Sequence, residues 1–110
     1  MSDDDQVGSA GQPVVALVEW PTKDLDLESA RRLAVESERL FRRVPGLLDA
    51  RFFGDFEGGI HCYLLTWQDR AALDAYIGSE AMFSNRSLAE PHVAGRPSRR
   101  IFIDYSPRLG

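Results

Sequence analysis

Two segments of this chain alternate as strands yet are apolar on both faces, and this constrains the fold more than any other feature. In Pro13 to Trp20 (PVVALVEW), Val14, Ala16, Val18 and Trp20 form one set. Val15 and Leu17 form the other, with Glu19 as its only charge. In Ile60 to Trp67 (IHCYLLTW), Tyr63, Leu65 and Trp67 face one way, and Ile60, Cys62 and Leu64 the other. A strand with two apolar faces is covered on both, so these segments are read as the centre of a sheet.

The remaining segments supply the layers. Asp24 and Asp26 offer N-caps, and Ala30, Leu33, Ala34, Ser37, Leu40, Phe41 and Val44 follow at helical spacing. Pro45 and Gly46 stop this helix. Glu28/Arg32 and Glu38/Arg42 sit four residues apart in the favourable order. Leu47 to Phe56 reads as a strand with Leu48, Ala50, Phe52 and Phe56 on one side, Leu47 and Phe53 on the other, and a bulge at Gly54. The Glu57-Gly58-Gly59 turn joins it to the strand that starts at Ile60. Asp69 caps a second helix with Leu73, Tyr76 and Ile77 as its stripe. Gly78-Ser79 breaks or re-caps it, and the segment from Glu80 to about Leu88 continues it. Residues 89 to 99 read as loop and Arg100 to Tyr105 as the last strand.

The expected fold is α+β, ferredoxin-like βαββαβ. Right-handed crossovers place two helices on one face of a four-stranded antiparallel sheet. The other face is then bare, with roughly several hundred Å2 of apolar surface that a lone molecule rarely exposes. A homodimer through that open face, forming a dimeric α+β barrel, is the expected partner arrangement.

Length and charge narrow the function. The 110 residues suffice for one domain, expected over residues 13–107 after a disordered acidic tail at 1–12. A net charge of −4 with no basic stripe argues against nucleic acid. Neither a signal peptide nor a bilayer-spanning run is visible, and the single cysteine, Cys62, fits a reducing, cytoplasmic setting. No phosphate loop, dinucleotide fingerprint or nucleophile elbow is present, so no cofactor is expected, and two histidines and one cysteine make no metal constellation.

The layout, together with the stretch TWQDRAALDAYIGSEAMF, resembles the dimeric α+β barrel superfamily and, within it, the antibiotic-biosynthesis-monooxygenase type of domain. The features carrying the likeness are Trp67 closing the third strand, Asp69, Leu73, Tyr76 and Ser79. The resemblance implies a ligand pocket between sheet and helices and a cofactor-independent monooxygenase acting on a hydrophobic aromatic or polyketide-type small molecule. Alternatives are a polyketide cyclase or isomerase in the same pocket, or a non-catalytic binding or dimerisation module whose pocket is filled by Phe52, Phe56 and Phe83. The chain departs from two branches of the family. It has no Asn on the first strand, and no His between Asp69 and Leu88 to ligate heme iron.

His61, Trp67 and His92 are the candidate catalytic residues. Trp67 offers a flat wall with an N–H donor, and either imidazole could take a proton from a phenol or enol. Tyr63, Tyr76, Arg86 and Glu19 are the candidate substrate-binding residues. Each also has a plainer reading, as core, surface or, for Glu19 and Asp104, a partner for Arg51, Arg99 or Arg100 at a dimer seam.

Overall fold

The structure, a computed structural model, describes residues 12–107. Of the expected tail, only Gln12 falls within the described residues; its amide donates to the Asp104 carbonyl at 2.8 Å. The elements run β1 (Val14–Pro21), α1 (Leu27–Phe41), β2 (Leu47–Asp55), β3 (Ile60–Trp67), α2 (Arg70–Tyr76), α3 (Glu80–Ala89), a single 3-10 turn (Glu90–His92) and β4 (Ser98–Ile103). The four strands form one sheet in the order β2-β3-β1-β4, and all three pairings are antiparallel.

The two doubly apolar strands are the two central ones, as their patterning requires. Val14, Ala16, Trp20, Tyr63, Leu65 and Trp67 are buried beneath the helices. Val15, Leu17, Ile60, Cys62 and Leu64 are only partly covered on the opposite face, with Phe53 and Phe102 exposed beside them.

The helix ends follow local chemistry. The Asp26 carboxylate accepts from the Ser29 N–H at 2.7 Å and opens α1, whereas Asp24 takes a left-handed φ of 54° in the preceding loop. Arg32–Glu28 and Arg42–Glu38 pair at 3.3 and 2.8 Å on the exposed side. Each pair, being solvated, contributes about 0.3–0.5 kcal/mol. Asp69 caps α2 through the Ala72 N–H, and Ser79 caps α3 through the Met82 N–H.

The break or re-cap expected at Gly78-Ser79 is where the second helical segment divides into two helices. Gly78 adopts φ 82°, which a β-carbon disfavours, and the Ser79 side chain caps the start of α3. The bulge of β2 lies between Leu47 and Asp49, and Gly54 pairs in register with His61. That bulge reverses the facing of the first two residues. Leu47 pairs with Trp67 and packs on the core, while Leu48 is 60% exposed. The last strand begins two residues earlier than expected and ends at Ile103, because its extent is set by pairing with β1, from Ser98 opposite Glu19 to Ile103 opposite Val14.

Candidate functional site

An open cavity of about 320 Å3 lies between the sheet and the two short helices. Ala16, Val18 and Trp20 of β1 and Tyr63 and Leu65 of β3 form its floor. Leu73 and Tyr76 of α2 and Met82 of α3 form the opposite wall, with Arg86, Pro97 and Arg99 also lining it. The size falls within the range of small-molecule sites.

Two hydrogen bonds organise the tyrosines of the cavity. Trp20 Nε1 donates to the Tyr63 hydroxyl at 3.1 Å in a buried contact. Indole nitrogen is only a donor, so the phenol oxygen accepts and its own proton is free. Asn85 is buried in α3 along the stripe that carries Met82 and Ala89. Its Nδ2 donates to the Ala81 carbonyl at 3.3 Å and to the Tyr76 hydroxyl at 3.4 Å. A backbone carbonyl can only accept, which fixes the amide orientation and leaves the Tyr76 proton free as well. Burial pushes the Tyr63 phenol up, opposed by the Trp20 hydrogen bond and by Arg86 and Arg99. Tyr76 is pushed well above the ordinary phenol value, chiefly by burial and also by Tyr63. Both stay protonated at neutral pH and serve as O–H donors. The Arg86 guanidinium lies 6.0 Å from the Trp20 ring centroid, the outer limit of a cation–π contact.

The candidates from sequence do not all meet here. Tyr63, Tyr76 and Arg86 line the cavity. Trp67 is fully buried behind it, its ring 5.2 Å from that of Tyr76, and its Nε1 has no hydrogen-bond partner. His61 faces the helices at the other end of β3 and lines a separate groove with α1. Burial lowers its basicity, with a smaller push from His92, so the imidazole is mostly neutral at pH 7. His92 ends the 3-10 turn, and its carbonyl accepts from the Lys23 N–H at 2.9 Å. Glu19 is exposed on the opposite face of the sheet, between Cys62 and Ser98. The Asp104 carboxylate accepts from the Ser106 N–H at 3.0 Å, and neither acid forms an ion pair among the described residues. The space is not plugged by phenylalanines. Phe56 and Phe83 are 41% and 54% exposed, and Phe52 packs on Phe41 and Tyr63.

Sequence reasoning missed Trp20, Asn85 and Arg99. Trp20 shares the helix-facing set of β1 with Ala16 and Val18, a signal that was available. Asn85 is a polar residue inside the Met82–Ala89 helical stripe, its Nδ2 paired and its Oδ1 buried without a partner. Arg99 could not be placed without the β4 register. Among the described residues, no three His, Cys, Asp or Glu side chains gather as a metal site. Likewise, no helix is long and apolar enough to cross a membrane.

No protein-family model matches the sequence, and no curated protein matches it significantly. Solved structures do match in shape. SnoaB, a cofactor-independent oxygenase from Streptomyces nogalater, superposes with a TM-score of 0.66 at 10% identity, covering 90% of this chain and 96% of its own. An antibiotic biosynthesis monooxygenase superposes at 0.66 with 22% identity, covering 86% of this chain and 99% of its own. Rv0793 from Mycobacterium tuberculosis superposes at 0.68 with 15% identity, covering 88% and 99%. These likenesses run almost the full length of each relative, and they show that the chain shares the ferredoxin-like α+β fold of these proteins.

Proposed function

We propose that the cavity between sheet and helices binds a hydrophobic aromatic or polyketide-type molecule as its phenolate or enolate, and that the chain acts as a cofactor-independent monooxygenase. One observation carries the reading. The ionisable and hydrogen-bonding side chains lining the cavity are two phenols with free protons, two guanidiniums and the Trp20 indole already committed to Tyr63, all donors. Donors lining one cavity favour an anionic oxygen over a neutral one. Arg86 and Arg99 supply charge, while Tyr63 and Tyr76 supply directed hydrogen bonds.

The reaction follows from holding the anion. A carbanion or enolate passes one electron to O2, and the resulting radical pair combines to a peroxide. Loss of water converts the reacting methylene to a carbonyl, so CH2 and O2 give C=O and H2O. The lining supplies no imidazole or carboxylate, so the substrate proton leaves to water at the cavity mouth. The best substrates are then those acidic enough to ionise near neutrality. The same observation favours one second reading, a non-catalytic binder of aromatic anions. A cyclase or isomerase must take and return a proton, and this lining gives it less support.

We propose also that two copies pair through the open sheet face. The partly covered Leu17 and Leu64 lie side by side at its centre, flanked in the same row by Arg51 and Arg100. Apolar surface in this position is dried by a second sheet.

Oxygen consumption with a panel of anthrones and phenols, without added metal or flavin, tests the activity. Stoichiometric uptake with one oxygen atom in the product supports the oxygenase. Saturable binding without uptake across the panel supports the binder instead.

A further inference from the structure

A second space lies at the other end of β3, away from the cavity just described. It is a groove of about 350 Å3 between α1 and the β2–β3 hairpin. Tyr63 lines the first cavity and His61 this one, and the two rings are 5.9 Å apart at a steep angle. The groove is built rather than incidental. Ala30 and Ala34 of α1 leave room where larger residues would fill it. Gly54 lets the Phe56 ring fold back across the strand, since a β-carbon there would come within 2.7 Å of that ring. Phe52 lies nearly parallel to His61, with centroids 6.5 Å apart and planes at 16°.

The polar groups define the ligand. His61 is 3% exposed, no hydrogen bond among the described residues involves its ring, and its nitrogens are not sealed off as Trp67 Nε1 and Asn85 Oδ1 are. An imidazole nitrogen that opens on a groove can hydrogen-bond a ligand hydroxyl bound there. Arg31 lines the same groove, is exposed, and forms no ion pair among the described residues.

We infer that this groove is a second ligand site, which takes a phenolic aromatic acid. The ring lies among Phe52, Phe56 and Leu27, the hydroxyl meets His61, and the acid group reaches Arg31. This site is independent of the monooxygenase reading, because none of its lining residues belongs to the first cavity.

The test is an NMR titration with 4-hydroxyphenylacetate. The chain has two histidines, so the His61 ring signal is assigned by comparison with His92→Gln. The expected result is a saturable shift at His61 and Ala34, with a dissociation constant of about 1 mM or tighter. Phenylacetate, which lacks the hydroxyl, should bind about tenfold more weakly, as should His61→Phe toward the phenol. Ala34→Leu, which fills the groove and leaves His61 in place, should abolish the shift even if His61→Phe fails to fold. The inference is overturned by no saturation up to about 10 mM, by shifts confined to Leu73 and Tyr76, or by equal affinity for the phenol and phenylacetate.

Discussion

Trp67→Phe separates the two roles open to the tryptophan that closes β3. The indole is fully buried, and its Nε1–H has no partner. Replacing indole with phenyl leaves roughly 40 Å3 unfilled, which at about 24 cal/mol per Å3 costs about 1 kcal/mol. Against this, removing a buried donor with no acceptor returns about 1–3 kcal/mol of desolvation penalty. The two effects nearly cancel, so the variant should keep wild-type stability to within about 1 kcal/mol, or gain slightly. Trp67→Ala removes the same donor but leaves a far larger cavity, and should still lose about 3–5 kcal/mol, a large part of the stability of a domain this size. Urea unfolding followed by far-UV circular dichroism measures both. Trp20, the other of the chain's two tryptophans, provides an independent fluorescence probe in each variant. A loss above about 2 kcal/mol in Trp67→Phe would mean the indole N–H is hydrogen-bonded, and the account of its burial would be wrong. If stability is kept but ligand affinity falls more than about tenfold, the ring touches ligand directly and does not only back the Tyr76 wall.

Three further outcomes follow from the same geometry. Tyr63→Phe orphans the Trp20 Nε1–H and should cost about 1–2 kcal/mol of stability and about tenfold in affinity for an aromatic anion; an unchanged affinity would remove Tyr63 from the site. His61 is held below its ordinary value of 6.5 by burial, so below that pH the unfolded chain binds the proton more readily than the folded one. Its contribution to stability is therefore present above about pH 6.5 and is lost as pH falls through the depressed folded value. His61→Phe should flatten the urea midpoint between pH 7.5 and 5.5, and an equally steep decline in the variant would refute this. Leu64→Glu at the centre of the open face places two charges against each other across a two-fold contact. Light scattering should then report the single-copy mass where the wild type gives twice that, and a wild type already monomeric at micromolar concentration would end the pairing proposal.

Most of the fold was legible because its strongest signals are local. Alternation divided the side chains of β1 and β3 between two faces residue by residue, without saying which face the helices cover, and the caps at Asp26, Asp69 and Ser79 marked where helices begin. What failed depended on partners. Leu47 and Leu48 both look like core residues, and only the bulge opposite Trp67 decides which one is. The Ser98-Arg99-Arg100 start of β4 carries no apolar signature and becomes strand because β1 pairs with it. The site divides the same way. Alternation put His61, Tyr63 and Trp67 on one face, but not where along that face each would meet a helix. α1 covers the His61 end and α2 with α3 the rest, so a single row of side chains serves two spaces and a solid core.

Whether the first cavity prefers an anion can be read from the ionisation of a coloured phenol held within it. Bound 4-nitrophenol, titrated by its phenolate absorbance with saturating wild-type protein, should ionise at least about one pH unit below the free compound, equivalent to about 1.4 kcal/mol of preference for the charged form. Arg86→Gln should shrink that displacement. A bound pKa equal to or above the free value would show that the apolar floor outweighs the donors, and the proposed phenolate or enolate chemistry would be untenable.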